Sequence, residues 1–133
     1  MTLEEMKKQL EETLSPKRFK HSIGVMDTAV KLAEKYGEDR GKAAIAGILH
    51  DCARNIEGQE VLELCGRYGI EVNYITNLQP QLLHGPLGAA LARDVYGVED
   101  EDVIRAIACH TTGREDMTLL DKIVFIADYI EPG

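Results

Sequence analysis

Four histidines and two aspartates stand where apolar residues would be expected. His50 and Asp51 close the most apolar stretch of the chain, Ala43-Ala44-Ile45-Ala46-Gly47-Ile48-Leu49, and Asp128 lies between Phe125-Ile126-Ala127 and Ile130. His110 shares a helical face with Val103, Ala106 and Ile107. His84 follows Leu82-Leu83 and shares a face with Leu87 and Leu91, and His21 falls in line with Gly24, Val25 and Thr28. An ionised carboxylate is not buried alone; it is paired or it binds a metal. A single histidine on an apolar face is more often a hydrogen-bonded core residue than a ligand. Here, however, every histidine of the chain falls on such a face or at the end of a core helix, and one aspartate is the direct neighbour of a histidine. A shared cation cluster accounts for all of them together.

The spacing is His21-x28-His50-Asp51-x32-His84-x25-His110-x17-Asp128. Helical bundles build metal centres in this way, from side chains projecting inward from separate helices. Imidazole nitrogens with carboxylate oxygens suit iron, manganese, zinc or cobalt better than calcium or magnesium. His21, His50, Asp51, His84, His110 and Asp128 together exceed what one catalytic ion with open positions needs. Two divalent metal ions sharing a bridging carboxylate are the economical reading.

The elements that must hold these residues are helical. Leu3, Met6, Leu10 and Leu14 predict a short amphipathic helix over 2–14. Ser15-Pro16 reads as an N-cap followed by proline at the first helical position, opening a helix that runs to Tyr36 and stops at Gly37. Asp39 caps the next helix, which runs to about residue 54; being apolar on every side, it is the buried central one. Further helices are expected over 57–68, from Pro80 to about Val95 with Pro86 kinking or splitting it, from Asp100 to His110, and over 117–131 before Pro132-Gly133. Residues 73–79 read as a loop, and 69–75 is the only β-prone stretch. The fold class predicted is all-α, six to seven helices around a buried central helix in one domain, 1–133.

Composition bounds the function. The chain has 133 residues, enough for one substantial core, and 44% hydrophobic and 29% charged residues, ordinary for a globular protein. Its net charge of −8 argues against duplex DNA or RNA as partner. An acidic chain still takes an anionic substrate when metal ions supply the positive charge locally. Cys52, Cys65 and Cys109 are odd in number and far apart, which fits reduced, buried thiols. The charged, amphipathic first residues carry no secretory signal and no apolar run is long enough to span a bilayer, so no membrane partner is expected and the cytoplasm is the simplest location.

With those residues assembled, the chain resembles the HD-domain phosphohydrolase superfamily, defined by His…His-Asp…Asp: His21, His50-Asp51 and Asp128 match in order. The segments RFKHSIGV (18–25), AGILHDCAR (46–54), LLHGPLGA (82–89), ACHTTG (108–113) and KIVFIADYIEPG (122–133) are similar to the YqeK family, so the resemblance covers nearly the whole chain. It implies a symmetrical diadenosine tetraphosphate hydrolase with a two-metal, typically iron-containing centre. His21, His50, Asp51 and Asp128 would hold one metal, and His84 and His110 the second, with Asp51 bridging. Members of that family continue through a further helical tail where this sequence stops at Gly133, as a truncated chain or a short member would, so a substrate contact or a homodimer contact made by such a tail is not carried over to these residues.

The expected chemistry is attack of a metal-activated water on a phosphate of a polyphosphate chain, with Asp51, His84 and Arg54 at the reaction centre. Arg54, one turn after His50, and Arg18, one turn before His21, are placed to neutralise phosphate charge, although a solvated surface charge is the ordinary reading of either. Thr111 and Thr112, just beyond a ligand, are candidates to bond a phosphate oxygen or to cap the helix end. Tyr129 and Glu131 border the expected pocket, and Lys122 reads as a surface residue. Two other readings stand beside this one: a phosphohydrolase of another nucleotide (a nucleoside triphosphate, a monophosphate or a cyclic dinucleotide), and a non-catalytic nucleotide-sensing protein. The second would ordinarily show a lost ligand, and here all six positions are filled.

Overall fold

In the computed structural model, which describes residues 1–131, every regular element is a helix. Helix α1 (Leu3–Thr13) opens on a reciprocal capping box between Thr2 and Glu5. Helix α2 (Pro16–Tyr36) starts as the Ser15 hydroxyl accepts the Arg18 N–H at 3.2 Å, and ends at Gly37 with φ 83°, the left-handed conformation that favours glycine. Asp39 caps α3 (Arg40–Leu49), Asp100 caps α7 (Glu101–Ala108), and Thr118 with Asp121 boxes the start of α8 (Leu119–Ile130). Between them lie α4 (Gln59–Arg67), α5 (Tyr74–Leu78), a 3₁₀ turn over Pro80–Leu83, and α6 (His84–Asp94). The expected stop at Pro132-Gly133 lies outside the described residues.

The structure differs from the sequence expectation in three places. The expected loop 73–79 contains α5, a single turn closed by an Asn73–Thr76 capping box that buries none of its residues. Pro86 neither kinks nor splits a helix. It is the third residue of α6, where a backbone N–H has no intrahelical partner to lose, and the break falls ahead of it, between the 3₁₀ turn and His84. Helices α3 and α7 end sooner than expected, at Leu49 and Ala108. His50 and His110 therefore sit in the turns that follow rather than inside the helices.

Helix α3 is central, as its all-round apolar surface requires; Ile48 and Leu49 are fully buried, each burial contributing roughly 1.5–3 kcal/mol. Residues of α1, α2, α3, α7 and α8 join in one core, while Ala53, Ile56, Val61, Cys65, Leu83 and Leu87 form a smaller one under α4. The turn after α3 straddles both, with Cys52 in the larger and Ala53 and Ile56 in the smaller, and this anchors Asp51 between them. Two glycines permit the close crossings that bring the site together. A β-carbon at Gly47 would lie 2.8 Å from Met26 Cα, and one at Gly85 would lie 2.6 Å from the Ala108 carbonyl oxygen. Cys52, Cys65 and Cys109 are free and buried, as expected.

Candidate metal centre

The local chemistry of a helix end prepares the histidines. The last carbonyls of a helix lack intrahelical donors. Just past α3, His50 Nδ1–H donates to the Gly47 carbonyl at 2.7 Å; just past α7, His110 Nδ1–H donates to the Ile107 carbonyl, also at 2.7 Å. A carbonyl only accepts, so in each neutral ring the proton is on Nδ1 and the Nε2 lone pair is free. That is the orientation in which outer-shell contacts present a histidine to a metal.

Those lone pairs converge on two carboxylates. His50 Nε2 lies 3.5 Å from Asp51 Oδ2 and 3.3 Å from Asp128 Oδ1, and His110 Nε2 lies 3.4 Å from Asp51 Oδ1. His21 Nε2 is 2.9 Å from Asp128 Oδ1, which ties the second turn of α2 to the last turn of α8. The His50 ring is edge-on to both His21 and His110, with centroids 5.3 and 5.1 Å apart. His50 is completely buried, and among the described residues its Nε2 has no hydrogen-bond partner. A buried acceptor facing two acceptor oxygens is repelled unless a proton or a cation lies between them, and these donors could hold a metal ion there. The donors fit: His21, His50 and Asp51 offer atoms within 4.8 Å of one another, as do His50, His110 and Asp128.

The same crowding sets the protonation of the metal-free site. Burial opposes ionisation of Asp51, but the hydrogen bond from His110 and the charges of His50, His110 and Arg54 overcome it and hold the carboxyl well below its usual range. Asp128 is also lowered, burial again being outweighed by the His50 and His21 rings beside it. For His110, burial works against the charged ring, yet the Asp51 carboxylate and the Ile107 carbonyl raise it above the ordinary imidazole value of 6.5. Burial, helped by the Asp51 charge, pushes the neighbouring Cys52 thiol up to about 12, so it stays a neutral thiol, donating to the Gly88 carbonyl at 3.3 Å.

His84 stands apart from this cluster. Its Nε2 lies 3.0 Å from the Ile56 carbonyl and its Nδ1 lies 3.2 Å from the Gln81 carbonyl, so both nitrogens face main chain. Its half-buried ring lines a cavity of about 430 Å³ together with Arg18, Arg54, Ser15, Asn55 and Glu57. Arg18 reaches inward, one guanidinium nitrogen 3.8 Å from Asp51 Oδ2. A second cavity, of about 240 Å³, is bordered by His110, Thr111, Phe125, Asp128 and Tyr129. The Thr111 hydroxyl is buried without a partner, against Gly85. The exposed Thr112 hydroxyl donates to the Gly113 carbonyl, and neither threonine caps α7. The Glu131 side chain lies over Gly24, one turn along from the His21–Asp128 contact, and Lys122 is exposed as expected.

Sequence reasoning passed over one buried charge. Asp121 is fully buried and receives Arg114 Nε and a second guanidinium nitrogen at 2.9 and 2.7 Å, and the Thr118 N–H at 2.9 Å. Thr118-x-x-Asp121 just before an apolar run is the spacing of a capping box and could have signalled it. This pair fixes the start of α8 and thereby the height of Asp128.

Similarity to known proteins agrees with this geometry. The family model for the HD domain matches residues 18–133. The chain is 42% identical, over its full length and 68% of the relative's, to a symmetrical bis(5'-nucleosyl)-tetraphosphatase of Staphylococcus aureus. It is 48% identical over 120 residues, covering 90% of this chain and 64% of the relative, to the protein of that name from Halalkalibacterium halodurans. A crystal structure from Clostridium acetobutylicum, described as a predicted HD superfamily hydrolase involved in NAD metabolism, superposes with TM-score 0.95 at 50% identity. That match covers all of this chain and 70% of the other.

Proposed function

This chain belongs to the HD domain family, and on that premise we propose that it is a metal-dependent phosphohydrolase that splits diadenosine tetraphosphate into two ADP. The observation that carries the reading is His50 Nε2, fully buried, oriented by Gly47 and unpartnered between Asp51 and Asp128. His21, His50, Asp51 and Asp128 would hold one ion. Asp51 and His110 would hold a second, with His84 completing the set once its Nε2 leaves the Ile56 carbonyl. Asp51 presents one oxygen toward His50 and the other toward His110, the arrangement a bridging carboxylate needs. Bound there, two divalent ions would lower the pKa of a water and polarise the phosphoryl oxygens of the substrate. Iron is the ion that the family resemblance favours, and manganese, zinc and cobalt suit the same donors.

The protein's own part is positioning. Arg18 and Arg54 line the larger cavity beside Asp51 and supply the positive charge that a tetraphosphate needs in a chain of net charge −8. Cleavage is symmetrical if the site grips one nucleoside diphosphate unit, because the attacked phosphorus is then the second from that nucleoside. Among the described residues no helix is long and apolar enough to cross a membrane; the compartment proposed is the cytoplasm, where a nucleotide substrate occurs. The test is turnover of diadenosine tetraphosphate by metal-reconstituted protein, with products separated by chromatography. ADP as the sole primary product is expected; equimolar ATP and AMP would overturn the symmetrical claim, and no turnover would overturn the hydrolase.

A further inference from the structure

Two cavities border the candidate metal centre, one lined by His84 and the other by His110 and Asp128, and they differ in chemistry. The larger carries Arg18 and Arg54 against a single carboxylate, Glu57, and its lining includes the His84 imidazole but no Phe, Tyr or Trp ring. The smaller carries Phe125 and Tyr129, at one-turn spacing on α8, on either side of Asp128 in sequence. Tyr129 is 82% exposed, so core packing does not account for an aromatic ring at that position. Its neighbour Asp128, one residue back, contacts both His21 and His50. Tyr129 and Asp128 line the same cavity, so a group lying on Tyr129 shares that cavity with a proposed metal ligand. Glu131 adds negative charge beyond this mouth, at the level of Gly24, which disfavours a polyphosphate there. The site thus has a cationic mouth and an aromatic mouth, with His110, Asp51 and Asp128 between them.

We propose that Tyr129, backed by Phe125, is the platform on which the nucleobase of the gripped nucleoside diphosphate stacks, so that the phosphates run inward past Asp128 and on toward Arg18 and Arg54. The proposal rests on the nucleotide-hydrolase reading of the site and specifies which mouth takes which end of the substrate. Stacking on an aromatic face is tolerant of base identity, since every base offers a π-face. Guanine should accordingly be accepted in place of adenine, and the specificity of Tyr129 is for the presence of a base.

The experiment compares equilibrium binding of ADP and of inorganic pyrophosphate to the metal-loaded protein, in the parent chain and in the Tyr129→Ala and Tyr129→Phe variants, with metal content measured for each. The parent should bind ADP more tightly than pyrophosphate. Tyr129→Ala should weaken ADP by between about five- and one-hundred-and-fifty-fold, the range for losing one base–aromatic stack, and pyrophosphate by less than about two-fold. Tyr129→Phe, which keeps the ring, should retain the preference for ADP. An unchanged preference in Tyr129→Ala, equal loss of both ligands, or loss in Tyr129→Phe as large as in Tyr129→Ala would overturn the proposal. A parent that prefers ADP but leaves diadenosine tetraphosphate intact would overturn the hydrolase reading and leave the platform standing.

Discussion

At the scale of single residues the site is organised by which nitrogen of each ring holds the proton. An unpaired buried polar atom costs about 1–3 kcal/mol, and His50 Nε2 is such an atom until a cation meets it. Asp51 is the residue both histidines address, so Asp51→Ala should abolish metal binding and activity together. Arg54 lines the cavity and acts on Asp51 only through its charge, so Arg54→Ala should keep its metal and lower kcat/KM by about ten- to one-hundred-fold, the worth of a charged hydrogen bond to phosphate. Elemental analysis decides between these roles: an Arg54→Ala protein stripped of metal would show that Arg54 supports the centre itself. The cluster of His21, His50, Asp51, His110 and Asp128 was legible in the sequence because each interrupts an apolar face, and burial of a lone polar group has few explanations. The position of His84 was not legible in the same way. It depends on where the turn after α3 delivers the Ile56 carbonyl, a contact across 28 residues that helical periodicity does not encode.

At the scale of elements, the centre exists because α2, α3, α6 and α7 approach more closely than ordinary side chains allow. Gly47 lies under Met26 of α2, and its carbonyl is the one that orients His50. Gly47→Ala forces a β-carbon against backbone, which should destabilise the fold by about 1–3 kcal/mol and weaken metal binding as α3 shifts. Gly66 is the useful contrast: it lies exposed within α4 with nothing near its would-be β-carbon. Gly66→Ala should stabilise the protein by about 0.5–1 kcal/mol through helix propensity and leave metal content unchanged. Denaturant titration and metal analysis of the two variants check both signs; a destabilised Gly66→Ala would mean α4 is not the unhindered helix described. Helix starts were readable because Ser15, Asp39 and Asp100 each cap where their chemistry requires. Helix ends at Leu49 and Ala108 were less so, because there the competing donor is a histidine side chain. Helix α5 escaped notice since its signal is a capping box without a buried face.

At the scale of the molecule, the His/Asp cluster joins α2, the turn after α3, the turn after α7, and α8, so an ion bound there would link metal binding to global stability. An ion that binds the folded chain alone adds about 2.7 kcal/mol at one hundred times its Kd. For a chain of this length that is a rise in Tm on the order of ten degrees. The size of the effect depends on pH, because protons compete for the same donors. His110 is raised above 6.5 by Asp51, so in the metal-free protein its pairing contributes stability that is fully present below 6.5 and lost as pH rises through the raised value. Asp51 and Asp128 are lowered, so their contribution is present above the ordinary value of 3.8 and lost only as pH falls through the depressed values. At mildly acidic pH the stripped site is therefore held together by a proton on His110 between charged carboxylates, and a metal has to displace that proton. As pH rises through the raised value that proton leaves, the acceptors repel one another, and a metal has more to relieve. The difference in Tm between metal-loaded and chelator-stripped protein should thus widen from pH 6 to pH 8, with the stripped form losing stability over that interval. Scanning calorimetry of both forms at the two pH values measures it. Equal Tm for the loaded and stripped forms at pH 8 would show that the cluster is an internally satisfied polar network with no ion among its partners.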